Sequence, residues 1–372
     1  MIKKFILLFA SLFFCLVCAE AALAILGLPR FYNWHSTPPQ FSFIGIEDGM
    51  PVYVNAPGEC IRFVYDGNPR GYFGKDNEVD QCTNSLGWRG PEFSVDKPQG
   101  RLRIAFLGDS FTFGEGVRFQ DTYPEKVSEL LNAKYCRGGF ETRPYNASGK
   151  YDITGGLYGK CFESYDFGVG GYNSVNELFA LEHFALKYNP DIVVLKYDLS
   201  EAEPELYAVA PGTQEVQRVP RWYDTDPRLF AARPPESGLY KLRLSRLLWQ
   251  INMSRKKNAA MVSYYSALYQ PESRDWVRSE QALRLMIRIC RQKNIPVYVV
   301  FFPMLYRLEQ YPFADVHSRV GEVVKEEGGV FIDLFPLLKN LRTDKLWVHP
   351  TDQHPNEIVH RIAAKAIAEQ IN

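Results

Sequence analysis

The chain has 372 residues, with 43 Lys+Arg against 43 Asp+Glu, 46% hydrophobic residues and 14% aromatic ones. Balanced charge without a basic stripe excludes a nucleic-acid binder, which needs surplus Lys and Arg to neutralise phosphates. The aromatic content excludes global disorder, and no repeat period marks a solenoid or propeller, which leaves a globular α/β chain.

Met1-Ile2-Lys3-Lys4 precedes an apolar run over residues 5–19; Glu20 interrupts it, and apolar residues resume over 21–28 before Pro29-Arg30. Lysines ahead of an apolar core hold the start on the cytoplasmic side and send the rest of the chain across the membrane. Residues 1–28 are therefore expected to form a signal-anchor or a signal peptide. The uncleaved anchor, a transmembrane helix, is favoured, although Ala19-Glu20-Ala21 and Ala22-Leu23-Ala24 offer small residues to a signal peptidase. The body is expected outside the cytoplasm, anchored or secreted, and in the periplasm if the source is bacterial. Beyond the apolar segment stand Cys60, Cys82, Cys136, Cys161 and Cys290. Cys60 with Cys82 and Cys136 with Cys161 are pairs by proximity in sequence, Cys290 reads as a buried helix residue, and spacing alone leaves the connectivity open. No zinc-type His/Cys spacing is present.

Residues 29–99, rich in Pro, Gly, Asn and aromatics, predict a small irregular or β-rich segment with extended pieces at 51–55 and 61–65. From residue 100 to 372 the pattern changes. Arg103-Ile104-Ala105-Phe106-Leu107 is a short apolar run ending at Gly108-Asp109-Ser110, as a buried strand entering a tight turn does. Thr122-Tyr123-Pro124-Glu125 predicts an N-cap with Glu three residues on, opening a helix to about 132. A strand at 164–169, a helix at 174–188 and a β-branched strand at 191–197 come next. Strands at 296–302 and 330–334 alternate with helices at 279–293, 314–327 and 356–371. This alternation predicts a three-layer α/β/α sandwich with a mostly parallel sheet and an active site beyond the C-terminal strand ends. Residues 201–273 break the rhythm and read as an insertion, with a basic Pro-rich piece at 218–233 and a helix at 239–253.

Ser110 is placed where a strand hands over to a helix, exposed at the sheet edge beside backbone N–H groups able to face an anion. Near the other end, Asp352-Gln353-His354-Pro355-Asn356 offers a base and a carboxylate to orient it. Gly168-x-Gly170-Gly171 lacks the third-glycine spacing of a dinucleotide site. Asp109 reads as a loop residue that binds backbone amides, and His349 is a lesser candidate for the base.

In these blocks the chain resembles the SGNH hydrolases, the GDSL esterase/lipase superfamily, over about residue 101 to the C-terminus with a gap at the insertion. The resemblance implies the flavodoxin-like SGNH hydrolase fold and makes Ser110 the nucleophile, His354 the base and Asp352 its partner. It assigns oxyanion N–H groups to Ser110 and to Gly170 or Gly171. Two departures stand out. The family's third block carries an Asn as oxyanion donor, whereas Asp198-Leu199-Ser200-Glu201 has none, which leaves Ser200 to supply a hydroxyl. The family's usual Asp-x-x-His is here Asp-x-His, whose side chains share one face in extended chain. The expected activity is an exported serine esterase acting on acyl esters, O-acetyl glycans among them, without a metal or organic cofactor. The alternatives are a polysaccharide O-acetyltransferase using the same residues, or a non-catalytic glycan-binding or assembly protein on a degenerate hydrolase fold. The expected partners are the ester substrate and the membrane, through the N-terminal helix.

Overall fold

The computed structural model describes residues 2–36, 41–47, 49–136, 159–224 and 233–371. The chain divides into two units, Met1–Asn33 with Pro220–Tyr265, and Trp34–Val219 with Ser266–Asn372.

The larger unit is built on a five-stranded sheet. In chain order its strands are Arg101–Gly108, Cys161–Gly168, Ile192–Tyr197, Val297–Phe301 and Val330–Asp333. Every pairing is parallel, and the spatial order is second, first, third, fourth, fifth. This is the flavodoxin-like order, whose switch point lies between the first and third strands and opens a crevice at their C-terminal ends. All residues of the third and fourth strands are buried, because helices cover both faces of a parallel sheet. On one face Ile104, Phe106, Val194 and Val300 pack with Tyr123 and Val127 of the helix Tyr123–Leu131 and with Val359, Ala363 and Ile367 of the last helix, Glu357–Gln370. The helices Ser174–His183, Arg274–Gln292 and Ala314–Glu326 pack in a row to complete the sandwich.

Ahead of the sheet, Phe41–Glu47 and Met50–Asn55 form an antiparallel hairpin. Trp34–Ser36, Cys60–Tyr65 and Glu78–Cys82 form a small antiparallel sheet. A disulfide joins Cys60 to Cys82, directly opposite in that register, and a second joins Cys136 to Cys161. Cys290 is a free thiol buried on its helix.

Two elements differ from expectation. Thr122 precedes its helix as predicted but caps nothing with its side chain; its hydroxyl donates to the Phe119 carbonyl, and Glu125 accepts from Ser164 Oγ at 3.0 Å. The orphan N–H of Tyr123 is instead taken by His360 Nδ1 at 3.0 Å, from a helix far along the chain. In the smaller unit, the helix expected over 239–253 runs Arg243–Leu268, since Ala259, Ala260 and other helix formers continue it without a Pro or Gly. Residues 225–232 of the Pro-rich piece lie outside the described residues. The N-terminal helix of this unit, Ile2–Ile25, has no buried residue.

Candidate active site

Ser110 begins a one-turn helix directly after the first strand, and Asp109 is its N-cap: Oδ1 accepts the Phe111 N–H at 2.8 Å. Asp352 and His354 lie on a short strand, Asp352–Pro355, that forms a hairpin with Trp347–His349 in front of the last helix. Residues two apart on a strand face the same way. His354 Nδ1 therefore meets Asp352 Oδ1 at 2.5 Å, and its Nε2 meets Ser110 Oγ at 2.9 Å. The His354 side chain is 26% exposed while that of Asp352 is 2%, so the ring can be reached from solvent and its carboxylate partner cannot. Asp352 Oδ2 accepts a hydrogen bond from the Tyr65 hydroxyl at 2.7 Å. His349 stands apart from this run: its Nδ1 faces Thr351 Oγ1 at 2.7 Å.

Gly168 pairs with Gly108 in the sheet register, so Gly170 and Gly171 leave the second strand beside the point where Ser110 leaves the first. The N–H groups of Ser110, Gly170 and Gly171 have no hydrogen-bond partner among the described residues. Gly171 has φ +80°, and a Cβ there would lie 2.5 Å from Leu206 Cδ2, so this turn requires glycine. Ser200, expected to supply a hydroxyl to the oxyanion, is engaged elsewhere in the structure. Its hydroxyl donates into the carboxylates of Asp198 (2.5 Å) and Asp109 (3.2 Å), and a hydroxyl has a single hydrogen to give.

Four residues complete the site without having been singled out in the sequence. Lys196, wholly buried on the third strand, places its three ammonium hydrogens against Asp109 (2.8 Å), Asp198 (3.1 Å) and Glu201 (2.8 Å). Burial disfavours its charge, but the carboxylates outweigh it and hold its pKa well above the ordinary lysine value. Glu115 brings Oε2 to 3.9 Å from His354 Nε2, the nitrogen that faces Ser110. Burial lifts the Glu115 pKa to about 7 against the pull of the imidazole. For His354, burial opposes protonation, yet Glu115 and Asp352 prevail and carry its pKa up to about 10. Asp352 is buried, which disfavours its charge, but its bonds to His354 and Tyr65 keep it below the usual carboxylate range.

The loop bearing Glu115 is fixed from the N-terminal segment. Arg89 is buried and donates to the carbonyls of Phe113, Gly114 and Val117, and Gln81 adds a bond to the Gly114 carbonyl at 2.9 Å. Gly116 has φ +75°, and a Cβ there would lie 2.4 Å from Val348 Cγ1 and 2.8 Å from the Tyr65 hydroxyl. Tyr65, which serves the loop and Asp352, is the third such residue, with Arg89 the fourth.

Among the described residues, two clusters bring three metal-type ligands together, Glu115/Asp352/His354 and Asp109/Asp198/Glu201. In the second, the Lys196 ammonium already supplies the counter-charge. In the first, His354 and Asp352 are engaged with each other and with Ser110. What the arrangement can do chemically is move a proton from a hydroxyl to an imidazole whose charge is balanced by carboxylates, beside free backbone donors.

No protein-family model and no curated protein matches the chain. Among solved structures it is similar to an acetylxylan esterase from Geobacillus stearothermophilus, at 16% identity over 73% of this chain and 94% of that one, with a TM-score of 0.40. It is also similar to a two-domain esterase active on acetylated mannans, at 13% identity over 72% of this chain and a TM-score of 0.40; it covers 48% of that protein, about half its length. A third is a G-D-S-L family protein from Desulfitobacterium hafniense DCB-2, at 10% identity over 72% of this chain and 98% of that one, TM-score 0.37.

Proposed function

We propose that the protein is an exported, membrane-anchored serine esterase that removes acyl groups, O-acetyl esters of glycans in particular, through an acyl-serine intermediate. One observation carries this reading: Ser110, His354 and Asp352 form an unbroken run of contacts at 2.9 and 2.5 Å. A degenerate, non-catalytic site has no need to hold a serine and an imidazole in register.

In this mechanism Ser110 Oγ attacks the ester carbonyl carbon and passes its proton to His354 Nε2. Asp352 fixes the ring through Nδ1–H and balances the imidazolium. The carbonyl oxygen, now an oxyanion, accepts from the N–H groups of Ser110 and of Gly170 or Gly171. Collapse of the tetrahedral intermediate breaks the carbon–oxygen bond to the alcohol, which leaves with the proton from Nε2. Water then loses a proton to His354, attacks the acyl-serine, and frees the carboxylic acid and Ser110. No step calls for a cofactor.

Support for the anchor comes from the helix Ile2–Ile25, which is apolar, 24 residues long and wholly unburied. Glu20 on it accepts the N–H groups of Arg243 and Leu244 at 2.9 and 2.8 Å, so the helix is built into the smaller unit and not merely attached to it. Cleavage after Ala21 or Ala24 would discard Glu20 and leave that helix start uncapped.

The test is to treat the full chain with a fluorophosphonate and then follow an O-acetylated oligosaccharide. A phosphonyl adduct on the Ser110 peptide, absent in His354→Ala, and release of acetate to water are expected. Acetyl transfer to an acceptor sugar would assign the same residues to an O-acetyltransferase, and no adduct would overturn the enzyme reading.

A further inference from the structure

Glu20 also sets the depth of the second helix in the smaller unit. A helix of 24 residues is about 36 Å long at 1.5 Å per residue, against a hydrocarbon core about 30 Å thick. With Lys3 and Lys4 at the cytoplasmic boundary, Glu20 stands about 24 Å further along, just inside the opposite boundary. A carboxylate at that depth needs donors, because water is scarce there. The donors are the first N–H groups of the helix Arg243–Leu268, which also carry the positive end of its dipole. Further bonds fasten the two segments: Arg243 Nη1 donates to the Leu28 carbonyl at 3.1 Å, and Gln250 Nε2 donates to that of Arg30 at 3.0 Å. The rings of Phe31 and Trp249 meet at 6.2 Å. The start of the Arg243–Leu268 helix is thereby held at the level where the first helix leaves the membrane.

Its sequence suits that level. Leu244, Leu247, Leu248 and Ile251 fall at the i, i+3, i+4, i+7 spacing of a single apolar stripe. Leu248 is 58% exposed and Ile251 40%, so this stripe is not spent on a protein core. Arg255-Lys256-Lys257 comes directly after, supplying positive charge next to the apolar face. An apolar face flanked by Lys and Arg is the pattern of a helix lying in the head-group zone of a bilayer with anionic lipids.

We infer that the N-terminal half of the helix Arg243–Leu268 is an interfacial membrane helix, capped by Glu20 and seated with Leu248 and Ile251 in the outer acyl boundary. This rests on the reading of Ile2–Ile25 as a retained membrane span. It makes the anchor a two-part device, one helix crossing and one lying in the surface.

The experiment uses the full chain in vesicles of phosphatidylethanolamine and phosphatidylglycerol, with a benzophenone side chain placed in turn at Phe9, Leu248 and Ile251. These positions are exposed, so the substitutions disturb no core. Irradiation followed by mass spectrometry is expected to give lipid adducts at all three. Adducts at Phe9 but not at Leu248 or Ile251 would overturn the inference and leave the span intact. Adducts at none would remove the span and the inference together. Cross-links from Leu248 to protein in place of lipid would overturn it in favour of a protein-covered face.

Discussion

Lys196 shows how much of this site depends on single side chains. Its ammonium sets one positive charge among three buried carboxylates, one of which, Asp109, caps the turn that presents Ser110. Lys196→Met would strand those charges, and removing one partner of a buried ion pair costs about 3–5 kcal/mol. A matching fall in unfolding free energy by denaturant titration is expected; unchanged stability would refute the role. Ser200 gives the opposite prediction. With its hydrogen spent on Asp198, Ser200→Ala should leave kcat within a few-fold, whereas deleting a true oxyanion donor costs about 10²–10³-fold. Glu115 raises the affinity of His354 for its proton. Removing that negative charge in Glu115→Gln lowers the imidazole pKa, so the rising limb of kcat/KM against pH should move to lower pH. A limb that stays in place or moves upward would contradict the assignment.

At the scale of elements, the parts that were legible in sequence are those whose chemistry is local. Gly108-Asp109-Ser110 ends its strand within the same short stretch, and Asp352-x-His354 needs only the period of two. Neighbours along the chain carry both signals. Tyr65 and Asp352 are 287 positions apart, and nothing in the sequence near either marks the contact. Arg89 and Lys196 were illegible for the same reason, since a lone Arg or Lys amid apolar residues does not announce which carbonyls or carboxylates will surround it. The unused cap at Thr122 is the complementary case: the local pattern was present, but His360 reached the N–H and Thr122 turned to Phe119. The loop over residues 114–117 joins these remote contributions, and Gly116 is where it is most sensitive. Gly116→Ala, strained at φ +75° and 2.4 Å from Val348, should displace Glu115 and Tyr65 together. The expected result is a lower kcat with a changed pH profile; wild-type kinetics would contradict the packing.

For the whole molecule, the five-stranded order places the serine at the switch point, while the N-terminal apolar helix Ile2–Ile25 was legible from charge and apolarity alone. The fold also carries a dependence on acid. His360 is fully buried, accepts the Tyr123 N–H, and is held neutral by burial with a pKa lowered to about 3. Unfolded, it would bind a proton near pH 6.5, so the unfolded state gains protons first as the pH falls from about 6.5 towards 3. Stability should decline over that window. His360→Asn, which cannot take up that proton, should flatten the slope of unfolding free energy against pH; an unchanged slope would assign the acid sensitivity elsewhere. Hydrolysis of p-nitrophenyl acetate by the full chain, beside Ser110→Ala and His354→Ala, tests the serine and its base most directly. Activity in the parent, lost in both variants with circular dichroism unchanged, is the predicted result. Equal rates in all three would show that these residues, however well aligned, do not carry the reaction.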